Sequence, residues 1–474
     1  MSFALRPALR LLGALPLVGL LLSGQALALD VRTIHGPGGQ AMFELRFHEP
    51  HEIPDLDWPA TWSFSAGQKD RIAEVIGRWA EILRPHPDGR PGLVNLYTSD
   101  IRTAYTLNRL INDDGEISPA LRASLLNLPD LEYWPDGYDV EIVFGSLPMD
   151  DGQHGASQHS APVTGFGIEG IAFHELAHGL GIASHVQVPI DENGNWIDER
   201  PFFDHHENAW NRHLRDDHGQ PARPGQTILC AACANEPETG AFDVRKDRGY
   251  FTGPHVTEVL ADAMPGVPVR MLYGDGSLDS NNMSHLELNN SLISHQYFRS
   301  YTTLMEAELA VLQDLGYDID RRRLFGHSVY GSGLTLDNQA GFHDRNAAGT
   351  AYLPGSYSHA TLGMGLHVYG SHNGITQHAD LLTRGAGAVG IRVDGEGNRL
   401  AIPAGVRVHG QGDNGAGVLF AYGRHHALAH QGDIQALGPD GVGILADFGN
   451  NSYSNERMVR GSYLFCDGVD EPCA

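Results

Sequence analysis

Two histidines four residues apart, with a glutamate directly after the first, stand in the segment His174-Glu175-Leu176-Ala177-His178. On a helix such positions share a face, so His174 and His178 can offer two imidazoles to one metal ion while Glu175 flanks the same spot. Such a set suits Zn2+, which polarises a carbonyl and lowers the pKa of its water to about 7 while the carboxylate takes the proton. The chemistry is metal-assisted hydrolysis. A catalytic zinc site takes three protein ligands and keeps a fourth position open, so one more ligand must come from elsewhere in the chain.

The elements that would carry these residues can be read from periodicity. The apolar stretch from Phe166 to Ile182 predicts a helix around the motif. Ahead of it, Ser65 is a candidate N-cap, and Ile72, Val75, Ile76, Trp79, Ile82 and Leu83 recur at helical spacing until Pro85. Leu93–Tyr97 and Val140–Phe144 read as strands, which makes the order helix, strand, strand, helix, an α+β pattern. An insertion over about 186–270 is rich in Asp, Asn, Gly, Pro and His and is expected to be irregular loops with short helical pieces, one around Asn208–Leu214. Thr303–Leu315 reads as a second amphipathic helix.

Beyond Asp320 lysine is absent and glycine frequent. Gly365-Leu366, Gly390-Ile391, Gly417-Val418 and Gly443-Ile444 recur at nearly even intervals, each opening a short strand followed by a polar turn. Such a period predicts a β-solenoid whose coils bury a common core, with a β-sandwich as the alternative.

Composition sets the surroundings. In 474 residues the formal charge is -26, which excludes nucleic acid as a partner because phosphate backbones reward clustered Lys and Arg. Residues 1–28 have the charged start, apolar run and Ala-Leu-Ala ending of a signal peptide, so an exported product is expected. The four cysteines fall in two local pairs, Cys230 with Cys233 and Cys466 with Cys473, expected as disulfides in that setting.

His174 to Gly181 resembles the metzincin zinc peptidases, whose pattern continues to a third histidine and later a methionine turn. The chain departs from it at the eleventh position, where Ser184 stands and the histidine comes one residue on, at His185. It is more similar to the leishmanolysin-like branch, in which an insertion separates the glycine from the third ligand. Ser284-His285-Leu286-Glu287 fits that context, Ser294-His295 lies closer to Met305, and Thr303-Leu304-Met305-Glu306 resembles the methionine turn. The resemblance, which spans about 57–320, implies a zinc metalloendopeptidase acting on protein or peptide. His174, His178 and a third histidine would hold Zn2+, with His285 favoured and His295 and His185 as alternatives. Glu175 would be the general base, Gly181 would turn the chain and Met305 would floor the site.

Residues 387–451 resemble the β-helical passenger of bacterial autotransporters, which implies an extracellular or cell-surface location reached through the periplasm, and an association with the outer membrane. The alternating segments of a membrane barrel do not follow before Ala474. The expected organisation is a signal peptide at 1–28, an α+β metzincin-like catalytic domain at 29–322 and a β-solenoid at 323–474. The rival reading is a surface adhesin with a structural or degenerate metal helix.

Overall fold

The computed structural model describes residues 29–446 apart from 51–57, 85, 114, 129–136, 147–148, 151–156, 159–165, 189–199, 234–238, 273, 279–280, 289–290 and 295–302. The signal-peptide segment, His295, and the pair Cys466 and Cys473 lie outside the described residues.

The first part is built on a five-stranded sheet. Strand β1 (Asp30–His35) pairs antiparallel with β2 (Ala41–Phe47), which runs parallel to β3 (Gly92–Thr98). The Val140–Phe144 strand follows in parallel, and β4 (Tyr105–Asn108) closes the edge antiparallel to it. Central strands with both faces buried are mostly apolar, and β3 and Val140–Phe144 are buried throughout, with their polar pair joined where Asn95 Nδ2 donates to Glu141 Oε1 at 3.0 Å.

Helix α1 (Ala66–Ile82) opens with a reciprocal cap: Ser65 Oγ accepts the Gln68 N–H at 3.2 Å and Gln68 Oε1 accepts the Ser65 N–H at 2.9 Å. It stops at Ile82, and Leu83 is already extended ahead of Pro85. Its Ile72, Val75, Ile76 and Trp79 pack in one core with Leu45, Phe47, Leu96 and Ile142 of the sheet. A short helix α2 (Ala120–Leu126) and the motif helix α3 (Ile168–Gly179) belong to the same core. Almost every side chain of α3 is buried, as in a helix surrounded on all sides by protein. The Trp79 indole N–H donates to the Phe173 carbonyl at 2.9 Å and ties α1 to α3.

The insertion is more ordered than loops. Small strand pairs occur within it, such as Leu214–Asp216 with Gly249–Phe251 and Val267–Val269, with helices at Ala209–His213 and Pro254–Leu260. Buried Trp210, Phe242 and Phe251 explain the order, since they join it to the main core. Cys230 and Cys233 are disulfide-bonded there. The second amphipathic segment is helical only over Glu306–Asp314. Met305 is its extended N-cap because Glu308, three residues on, accepts the Met305 N–H and ends the helix backwards at that point.

From Phe325 the chain winds in successive coils. Strands Phe325–Val329, Met364–Val368, Val389–Val393, Ala416–Phe420 and Val442–Ala446 stack in one parallel sheet, and two more parallel sheets form the other sides. The repeat register appears as the column Leu366, Ile391, Val418 and Ile444. The first three of these, with Val368, Val393 and Phe420, line the interior. Glycine precedes the first three for a steric reason: a Cβ on Gly390 would sit 2.7 Å from the Gly417 carbonyl oxygen and 2.5 Å from Val408 Cγ1, whereas a Cβ on Gly443, ahead of Ile444 in the last coil, would meet nothing. Asn398 Oδ1 accepts the Asn373 N–H at 2.9 Å and Asn373 Oδ1 accepts the Leu334 N–H at 2.8 Å, so one asparagine per turn satisfies the bend above it.

The expected boundary at 322/323 falls inside a helix, Arg321–Leu324, that runs directly into the first coil strand. The outer face of the five-strand stack, with Met364, Val389, Ala416 and Leu419, shares the core of the first part. Polar groups join there too. Fully buried Asp394 accepts from Arg392, and its Oδ2 lies 2.5 Å from His367 Nε2, while Arg392 Nη1 donates to the Gln158 carbonyl at 2.7 Å. The Arg392 guanidinium and the His367 hydrogen bond hold the Asp394 carboxyl down at about 2, against a burial that pushes it up.

Candidate metal centre

His174 and His178 stand one turn apart on α3, and His285 reaches them from the loop after a short 3-10 turn at Asn282–Ser284. Their ligand atoms all lie within 4.8 Å of one another. Ring centroids are 4.9 Å apart for His174 with His178, 5.2 Å for His174 with His285 and 4.9 Å for His178 with His285.

Each imidazole is oriented by a backbone carbonyl on its Nδ1 side. His174 Nδ1 is 2.8 Å from the Leu292 oxygen, His178 Nδ1 is 2.8 Å from the Ile182 oxygen and His285 Nδ1 is 2.7 Å from the Asn281 oxygen. A carbonyl only accepts, so Nδ1 carries the proton in all three rings and Nε2 presents its lone pair. His174 Nε2 and His178 Nε2 then face each other at 3.2 Å as two acceptors, an arrangement that a cation between them resolves. Two nitrogens at 2.0–2.1 Å in tetrahedral coordination lie about 3.3 Å apart, so this pair already has the spacing zinc asks for. Carbonyl partners on the far ring nitrogen are the outer shell that metal-binding histidines use.

The local sequence explains the convergence. Gly181, at φ +112, ends α3 with its N–H on the His178 oxygen and the Ile182 N–H on the Ala177 oxygen, which swings the Ile182 carbonyl back onto the His178 ring. A Cβ at Gly181 would lie 2.9 Å from Arg122 Cδ, whose guanidinium donates twice to the Leu315 carbonyl. The chain leaving this turn places Ser184 so that its N–H donates to Ser284 Oγ at 2.8 Å, one residue before His285. Ser184, which stands at the eleventh position of the motif, thus anchors the loop that carries His285.

His185 is corrected as an alternative: it is not in the cluster. Its carbonyl is held by Asn211 and Asp204, and burial lowers its ring pKa. It lies beyond the end of α3 at Gly179, so helical spacing no longer carries it to the face that His174 and His178 share.

Glu175 is buried next to His174, and Thr106 Oγ1 on β4 lies 2.9 Å from its Oε2 and 2.7 Å from its carbonyl oxygen. Asn108 Nδ2 donates to the His178 carbonyl at 3.3 Å, so β4 grips α3 at both ends of the motif. Met305 is fully buried at the start of its helix. Glu308, not singled out from the sequence, connects it to the centre. Its Oε2 accepts the Met305 N–H and its Oε1 the Ile293 N–H, both at 2.7 Å, next to the Leu292 carbonyl that orients His174. Burial pushes the Glu308 carboxyl up to about 7 against the pull of those donors. The only signal for it in the sequence is a glutamate at the third position of an amphipathic helix. Thr106 carried none.

Comparison with protein-family models, with curated proteins and with solved structures finds no match for this chain.

Proposed function

We propose that the chain is an exported zinc-dependent endopeptidase with an α+β metzincin-like catalytic part and a β-solenoid stacked on it. The observation that carries the reading is the convergence of His174, His178 and His285, each with Nδ1 on a carbonyl, beside the buried carboxylate of Glu175. When bound, zinc would supply Lewis acidity toward a peptide carbonyl and acidify a water to a pKa of about 7.

The chain's own groups do the rest. His174, His178 and His285 would hold the ion through Nε2, a three-histidine set of the kind catalytic zinc sites use. Thr106 hydrogen-bonds Glu175 Oε2, which leaves Oε1 to take the proton of the attacking water and return it to the departing amine nitrogen. Leu292, Ile182 and Asn281 keep the imidazoles in one tautomer. The likeness of the coils to autotransporter passengers supports a cell-surface or extracellular setting, with proteins or peptides as substrates.

The test is Glu175→Gln beside His285→Ala. The first is expected to keep about one zinc per chain and lose several orders of magnitude in peptide hydrolysis, and the second to lose the zinc. An adhesin with a vestigial helix would show no hydrolysis to lose.

A further inference from the structure

The segment around Met305 is gripped by residues that come after it, at the start of the coils and within them. Thr303 Oγ1 accepts Arg392 Nη1 of the Val389–Val393 strand at 3.4 Å. Glu306 Oε1 accepts Arg321 Nη1 at 2.8 Å and Arg322 Nη2 at 2.9 Å from the helix that leads into the first coil. Thr303, Met305, Glu306 and Arg392 are all buried.

One of these contacts reaches the backbone. Ala307 is the second residue of the Glu306–Asp314 helix, where an N–H has no acceptor within the helix, and the Met305 carbonyl already takes the Glu308 and Leu309 N–H groups at 3.1 and 3.4 Å. Tyr330, directly after the first coil strand, supplies the acceptor: its Oη takes the Ala307 N–H at 2.9 Å. Burial pushes the Tyr330 pKa well above its usual value, so the group stays a neutral phenol.

The next residue is Glu308, whose two oxygens hold the Met305 and Ile293 N–H groups at 2.7 Å. Leu292, bonded to Ile293, gives its carbonyl to His174 Nδ1 at 2.8 Å. A single hydrogen bond from the coil thus fixes the helical turn on which the glutamate stands, and the glutamate fixes the peptide that orients a metal-facing imidazole.

We propose that the first coil is a working part of the metal centre and that Tyr330 is a positioning residue, holding the Glu308 turn so that the Leu292 carbonyl stays on His174. The proposal rests on the reading of His174, His178 and His285 as zinc ligands. Removing the phenol oxygen leaves the Ala307 N–H buried without its acceptor, which favours a shifted turn. Direct partners of metal-binding imidazoles change metal affinity by roughly 10–100-fold, and Tyr330 acts further out, so a smaller change of about fivefold is expected.

Tyr330→Phe in the full chain tests it, beside Tyr357→Phe, which removes a phenol whose partner, His409 Nδ1 at 2.7 Å, lies within the coils. Tyr330→Phe should weaken zinc about fivefold in competition with a chromophoric chelator, move the visible bands of the cobalt-loaded protein, and lower kcat on a peptide with KM unchanged. Tyr357→Phe should leave all three as they are and lower only the unfolding temperature. If Tyr330→Phe likewise moves the unfolding temperature alone, while the unaltered chain binds zinc and cleaves peptide, the proposal is overturned and the metal-site reading stands. An unaltered chain that binds no zinc overturns both. Should Tyr330→Phe not fold, Glu308→Asp, shorter by one methylene, is expected to move the cobalt bands in its place, and unmoved bands there overturn the proposal.

Discussion

Replacing Glu308 by glutamine tests how the second support layer of the centre is built. The carboxylate is fully buried and accepts two backbone N–H groups at 2.7 Å, yet burial outweighs them and lifts its pKa from 4.5 to about 7. The gap between 4.5 and about 7 corresponds to about 3 kcal/mol against the ionised form in the folded chain. Below about pH 4.5 the carboxyl is protonated whether the chain is folded or not, and this penalty is absent. Above about 7 it is ionised in both states and the penalty is complete, so the group makes the protein less stable as pH rises through that window. Glutamine is neutral throughout. Urea unfolding of both proteins at pH 4.5 and pH 8, with metal chelated, should show Glu308→Gln gaining about 3 kcal/mol relative to the unaltered chain on going to the higher pH. The histidines titrate in both proteins and cancel from the comparison. A gap that stays constant, or that moves in favour of the glutamate, would mean the N–H donors outweigh burial and would refute the reasoning.

Further changes follow from the same geometry. Thr106→Val removes the hydroxyl 2.9 Å from Glu175 Oε2 and should lower kcat about tenfold while leaving zinc content unchanged, a pairing checked by metal analysis alongside peptide cleavage. Gly181→Ala puts a side chain at φ +112 and 2.9 Å from Arg122 Cδ, and should cost about 1–3 kcal/mol by urea unfolding. Arg392→Met strands the buried Asp394 carboxylate and should cost roughly 3–5 kcal/mol, most of it recovered when Asp394→Asn is added. His185→Ala should leave metal content unaltered, since that ring lies outside the cluster.

What the sequence discloses is what depends on near neighbours along the chain. The cap at Ser65, the shared face of His174 and His178, the turn at Gly181 and the glycine-led register of the coils all follow from spacings of a few residues or from one repeated spacing. The third imidazole is a different kind of fact. His285, His295 and His185 differ little in local context, and among the described residues it is His285 that joins the other two, from a loop held where the Ser184 N–H meets Ser284 Oγ across 100 residues. Thr106 and Glu308 act through contacts that no periodicity encodes. The joining of the coils to the first part was also hidden, because outward-facing Val389 and Leu419 look in the sequence like any strand residues, and only the packed surface shows what covers them.

Metal content of the purified chain by mass spectrometry, for the unaltered protein and for His285→Ala, bears most directly on the centre. The account predicts about one zinc per chain, lost or strongly weakened in the variant. A protein that holds no metal, or one that keeps it undiminished without His285, would contradict it.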